Sequence, residues 1–181
     1  MKILIVVDMQ NDFISGALGT PAAEAIVPKV MEKISQWEGD IFVTQDTHDK
    51  EYLSTQEGRL LPVIHCVEET YGWEIDHTVQ AILSAKNAAF SNVTYLTKNT
   101  FGCRSLAQAL SALHMDIPIE EIQLVGLCTD ICVISNAMTI KTFLPDVPIC
   151  VDAACCAGVT SESHANALSA MKACQIHIIN E

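Results

Sequence analysis

Ile122-Gln-Leu-Val-Gly-Leu-Cys-Thr-Asp-Ile-Cys-Val133 reads as a short buried strand that breaks into a turn, and Ile134 to Leu144 continues it as a helix. A strand feeding a helix through a tight turn is the repeating unit of α/β folds. The turn carries Cys128 and Cys132. At such a turn the open N–H groups and the positive end of the helix dipole stabilise a thiolate and can hold an oxyanion. Position alone therefore makes Cys132 a candidate nucleophile.

The same unit recurs on both sides of this stretch. Apolar runs of strand length fall at Lys2–Val7, Asp40–Thr44, Val93–Thr97, Val147–Val151 and Gln175–Ile179. Helical periodicity fills Ala22–Gln36, Trp73–Ala85, Ser105–Leu113 and Glu162–Ala173. The strands are continuous apolar runs, as expected where helices cover both sheet faces. The pattern predicts a three-layer α/β/α fold with a doubly wound, mostly parallel sheet of six strands. The 181 residues fit one domain, 1–181, with no linker or internal repeat. Residues 47–72 form a long polar excursion, and such loops are often functional.

Composition narrows the function. A net charge of −12 argues against a nucleic-acid partner, since phosphate binding needs a basic face. No apolar run reaches the ~20 residues of a membrane span. The first strand begins at Lys2, which leaves no room for a signal peptide and predicts a cytoplasmic protein. The eight cysteines are expected to be reduced thiols, with Cys150 and Cys174 as small core residues. Cys128 and Cys132 do not form a CxxC knuckle, so a structural zinc site there is not expected. No GxGxxG or Walker loop is present. Apolar helix surfaces suggest a homo-oligomer.

In a doubly wound sheet, ligands bind beyond the carboxyl ends of the strands. Asp8 follows the first strand, Asp46 and His48 the second, Lys98 the third and Cys132 the fourth. Asp8, Lys98 and Cys132 supply a base, a cation and a nucleophile. For Asp8 to accept a thiol proton its pKa must rise, which burial would do. Asp46 and His48 lie two apart, so in an extended segment they point the same way. With His65 at the far end of the excursion and Glu57 between, they make an oxygen and nitrogen donor set suited to zinc, manganese or iron(II). Phe13 is a candidate pocket wall. His77 and His114 read as surface residues, His177 lies in the final strand, and His164 lies in the first turn of the last helix, within reach of a sheet edge but with nothing to pair it with the chemistry.

Asp8-Met-Gln-Asn-Asp-Phe13, Thr44-Gln-Asp-Thr-His48, His65-Cys66, Lys98 with Phe101, and Gly126 to Val133 stand in an order that resembles the isochorismatase-like cysteine hydrolases. Among these the chain is most similar to nicotinamidases (pyrazinamidases). Val151-Asp-Ala-Ala and Ser163-His164 resemble the closing segment of the family. The resemblance implies a catalytic triad of Asp8, Lys98 and Cys132. It implies a cis peptide between Leu127 and Cys128, with the N–H groups of Cys128 and Cys132 as the oxyanion hole. It implies a pocket including Phe13 and Leu127, and one divalent ion, zinc by preference, held by Asp46, His48 and His65. Ser54 stands where many members have a further histidine, and Glu57 matches the glutamate that others use. Leu60 to Ile64 contains no aromatic, although many members place one just before the second metal histidine.

The activity implied is hydrolysis of a small amide, nicotinamide to nicotinate and ammonia. The alternatives are a metal-independent relative acting on another amide or ureido compound, and isochorismate ether cleavage. A non-catalytic binding module and a redox role for Cys128 and Cys132 complete them.

Overall fold

The computed structural model describes all 181 residues, Met1–Glu181. Six strands, β1 (Lys2–Val7), β2 (Asp40–Asp46), β3 (Val93–Lys98), β4 (Glu121–Leu127), β5 (Ile149–Ala157) and β6 (His177–Ile179), form one sheet in the order β3-β2-β1-β4-β5-β6. Every pairing is parallel. The expected sheet is therefore present, and it is wholly rather than mostly parallel.

Two apolar clusters lie on opposite faces, and alternation along β1 shows why. Leu4 and Val6 join the cluster that holds α2 (Pro21–Gln36) and α4 (His77–Phe90). Ile3, Ile5 and Val7 join the other, against α5 (Arg104–Asp116), α6 (Ile134–Phe143) and α7 (Ser161–Ala173). A strand buried on both sides must be apolar at every position, hence the unbroken runs. The edge strand β3 departs from this expectation, with most of its residues partly or fully exposed. No helix is long and apolar enough to cross a membrane.

Several boundaries moved for identifiable reasons. The helix expected from Trp73 begins at His77, because Asp76 caps it by accepting from the N–H groups of Thr78 and Val79. Trp73 lies in the preceding turn, where its carbonyl accepts from Gln10. Strand β5 runs to Ala157 rather than ending at Val151, and β6 starts two residues later than expected. The excursion holds a single turn, Tyr52–Ser54, and the short helix α3 (Gln56–Leu60). Another short helix, α1 (Asn11–Ile14), follows β1. All eight cysteines are free; Cys150 is buried, but Cys174 ends α7 exposed rather than in the core.

The strand order reverses between β1 and β4, which run side by side. Gly126 sits here with φ +117°, and a Cβ on it would lie 2.1 Å from the Val7 carbonyl oxygen. Only glycine permits both that conformation and that approach. The chain leaves β1 and β4 close together, with Asp8 beyond one and the cysteine turn beyond the other.

Candidate active site

Four strands deliver the site. Asp8 follows β1 with φ 47°, Asp46 ends β2, Lys98 ends β3 and Cys132 lies five residues past β4. Asp46 and Lys98 are register partners. The Lys98 ammonium meets Asp8 Oδ2 at 2.7 Å, Asp46 Oδ1 at 3.2 Å and Cys132 Sγ at 3.5 Å. All four side chains are buried.

Burial sets the charge state of this cluster. It raises Asp8, against the pull of Lys98 and with a further push from Asp46. It also drives the Cys132 thiol well above its ordinary value, with Asp8 adding to the rise and Lys98 opposing it. Cys132 is therefore held as the thiol and needs a base before it can attack. Burial alone would lower Lys98, yet Asp8, Cys132 and Asp46 hold it well above the usual lysine range. The thiol proton and the Asp8 carboxyl thus lie beside one ammonium. Moving that proton from sulfur to carboxylate leaves the net charge of the cluster unchanged, whereas removing it leaves two buried anions.

The turn at Cys132 is wider than a normal helical turn. Val133 N–H donates to the Cys128 carbonyl at 3.0 Å, an i to i+5 bond, before α6 begins. The Leu127–Cys128 peptide is cis, as the resemblance implied. No protein acceptor takes the Cys128 N–H. Asn136, buried on α6, donates to the Cys132 carbonyl at 2.8 Å and accepts from Cys103 N–H at 2.8 Å. The Cys132 turn is thereby tied to the start of α5.

A second cluster adjoins the first. The ligand-capable atoms of Asp46, His48, Glu57 and His65 all lie within 4.8 Å of one another. Asp46 Oδ2 is 3.0 Å from His48 Nε2 and 3.6 Å from His65 Nε2. Glu57 Oε1 is 3.7 Å and 4.0 Å from the same two nitrogens. A tetrahedral ion with bonds of about 2.0–2.2 Å sets its ligand atoms about 3.4 Å apart, within the span of these distances. His65 Nδ1 donates to the Val63 carbonyl at 2.8 Å, which leaves Nε2 free to ligate. The four residues therefore fit a divalent ion. Burial would raise Asp46, but hydrogen bonds from His48 and His65, with the Lys98 charge, hold it well below the usual carboxylate range. Asp46 joins the two clusters, one oxygen on Lys98 and the other toward the histidines.

A cavity of about 630 Å³ opens over both clusters, with Asp46, Glu57, His65, Cys128 and Cys132 on its wall. Phe13 and Leu127 line it as expected, and the Phe13 ring lies 5.5 Å from that of His65. Buried carboxylate, ammonium and thiol beside oxygen and nitrogen donors equip this cavity for nucleophilic attack on a small polarised carbonyl.

A family model for the isochorismatase domain matches residues 2–180. The chain belongs to the isochorismatase family. It is 28% identical over 179 residues to a nicotinamidase of Saccharomyces cerevisiae, covering 77% of this chain and 81% of that one. A solved nicotinamidase/pyrazinamidase from Bacillus subtilis superposes with a TM-score of 0.79 at 29% identity, covering 99% of both chains. A Pyrococcus horikoshii pyrazinamidase solved in complex with zinc gives a TM-score of 0.79 at 26% identity, again over 99% of both. The protein is thus an isochorismatase-family hydrolase similar to nicotinamidases and pyrazinamidases.

This isochorismatase-family site also contains residues that sequence reading did not find. Thr44 Oγ1 donates to Asp8 Oδ1 at 2.6 Å. Gln10 donates to the Asp46 carbonyl at 2.8 Å and accepts from the Asp46 N–H at 2.7 Å. His164 bonds through Nδ1 to Thr129 Oγ1 at 2.8 Å, which ties it to the turn that carries Cys132. All four residues stand inside quoted motifs, so their positions carried a signal, but the pairing of Thr129 with His164 across 35 residues did not. Of the remaining histidines, His77 is exposed as expected, while His114 is half-buried and accepts the Ile119 N–H at 3.0 Å.

Proposed function

We propose that the protein is a cysteine-dependent amidohydrolase that converts nicotinamide and water to nicotinate and ammonia. The observation that carries this is the single ammonium of Lys98, which touches Asp8, Cys132 and Asp46 at once. It couples a nucleophile and its base to a donor cluster at the wall of one cavity.

Asp8 takes the thiol proton and Cys132 Sγ attacks the carboxamide carbon. The N–H groups of Cys128 and Cys132 receive the developing oxyanion; one such donor is typically worth ~2.7–4 kcal/mol. Asp8 then delivers its proton to the departing nitrogen, the C–N bond breaks, and ammonia leaves a thioester on Cys132. Water loses a proton to Asp8 as it attacks the thioester carbon. Sulfur departs and takes the proton back from Asp8, and nicotinic acid is released as nicotinate, its proton passing to the ammonia or to solvent. Lys98 stays protonated throughout and holds Asp8 and Cys132 together. Asp46, His48, Glu57 and His65 would hold a divalent ion, which would supply Lewis acidity toward a pyridine nitrogen. Zinc is the ion favoured, since the donors suit it and a structural neighbour was solved with it.

Ammonia release from nicotinamide, measured on wild type and Cys132→Ala, tests this reading. Turnover lost in the variant is expected; turnover retained in a clean preparation would overturn the mechanism. A second substrate reading, another small amide, is favoured by Leu60 to Ile64, which offers no aromatic to stack on a pyridine ring.

A further inference from the structure

We infer that the preferred substrate is a larger carboxamide than nicotinamide, carrying an apolar substituent on the ring edge remote from both the carboxamide and the ring nitrogen. This rests on the amidase reading above and extends it.

Three features of the cavity support it. The first is size. At about 630 Å³ the cavity falls within the ~300–1,000 Å³ that houses drug-sized ligands, and a single-ring carboxamide leaves most of it empty. The second is the division of its wall. Cys128 and Cys132 lie on the wall, where on the amidase reading a carboxamide carbon would react, and Asp46, Glu57 and His65 lie on it too, where a ring nitrogen would be directed. Of the remaining wall, Leu18, Leu60, Leu61, Phe101, Ile131 and Val159 are apolar, and Thr20, Gln56, Asn99 and Thr100 are its polar residues. On a pyridine-3-carboxamide the ring position facing away from both reactive groups is carbon 5.

The third feature is exposure. Leu60 is 79% exposed, Val159 54% and Phe101 47%, and all three line the cavity. Large apolar side chains gathered in the open around one cavity mark a surface that a ligand covers. Helix α3 supplies both sides of the argument, since Glu57 belongs to the donor cluster and Leu60 to the apolar wall. A substituent rising from carbon 5 would cover this wall and expel the water lying on it.

The test measures ammonia release by the metal-loaded protein from nicotinamide and its 5-methyl, 5-ethyl and 5-butyl derivatives, with a 5-(3-hydroxypropyl) derivative as polar control. Each buried methylene is worth about fourfold in binding, so kcat/KM for the butyl compound should exceed that for nicotinamide by at least about tenfold. The hydroxypropyl compound should fall below the butyl one. Leu60→Asn and Phe101→Asn should each reduce the butyl-to-nicotinamide ratio about fivefold or more, the change expected from one or two lost methylene contacts. A ratio at or below one in wild type would overturn the inference while leaving the amidase reading intact. A ratio untouched by both variants, with a change in subunit number on sedimentation, would also overturn it and assign the rim to a second copy of the chain. Ammonia release from none of the compounds by a protein whose Cys132 still alkylates would overturn the amidase reading, and this inference with it.

Discussion

Asp8 has no solvent to share its charge with. Its partners are Lys98 at 2.7 Å and Thr44 at 2.6 Å. Replacing it with asparagine keeps the shape and removes the base. A positioned general base contributes about 10²–10⁴-fold, so Asp8→Asn should lower kcat/KM for the amide by that factor in an ammonia-release assay. Folding of the variant is checked by circular dichroism. His48→Ala tests the neighbouring cluster: metal analysis of the purified protein should fall from one ion per chain toward none, and substrate binding should weaken. Unchanged metal content would remove His48 from the donor set. These residues were legible because each falls at or just past a strand end, where such sheets place their chemistry. Thr44 and Gln10 were not, because their roles exist only once β1 and β2 lie side by side.

At the scale of elements, the wide turn after β4 is held from two directions. Asn136 grips the Cys132 carbonyl from α6. From the other side, His164 on α7 meets the fully buried Thr129 hydroxyl, and Asp130 accepts the Val159 N–H at 3.1 Å. His164→Ala should leave that hydroxyl unpaired at a cost of about 1–3 kcal/mol. It should also let the turn drift, and kcat should fall about tenfold or more, since small displacements of reacting groups are expensive. KM should move less. His164→Asn, whose amide can present either a donor or an acceptor where Nδ1 lies, should recover most of both losses; equal damage in the two variants would count against a positioning role. Periodicity located α7 to within a residue, because its capping box at Thr160 and Ser163 is a local signal. The start of α4 was misjudged by four residues, since the apolar Trp73 mimicked the helical period while Asp76 made the real cap.

For the molecule as a whole, buried protons dictate behaviour in alkali. Burial is the leading cause that pushes Cys128 up to about 12, and Cys150 and Cys155 to about 11, from an ordinary value of 9.0. The folded protein therefore keeps protons that the unfolded chain gives up. Stability from these groups is complete below about pH 9 and is lost as pH rises through 11 and 12. Lys98 acts with the same sign above its ordinary 10.5. Calorimetry should show Tm falling steadily from pH 9 to 11, with no comparable loss between 7 and 9; a flat profile would contradict the burial of these thiols. The layered α/β architecture was legible from the strand runs alone. The exposure of β3 was not, because edge position is a property of the assembled sheet.

Strand β1 occupies the middle of the sheet, yet one of its two neighbours is β4, with Lys2 registered against Glu121. More than a hundred residues must leave the ribosome before that edge is covered. At about 5–20 residues per second the wait is on the order of ten seconds. Through that interval β1 shows a bare edge of Ile3 to Val7, by its close the rim of a nascent β3-β2-β1 half-sheet, the kind of edge on which chains stack. The strand that carries Asp8 to the centre of the finished enzyme is the one most in need of chaperone cover while the enzyme is being made.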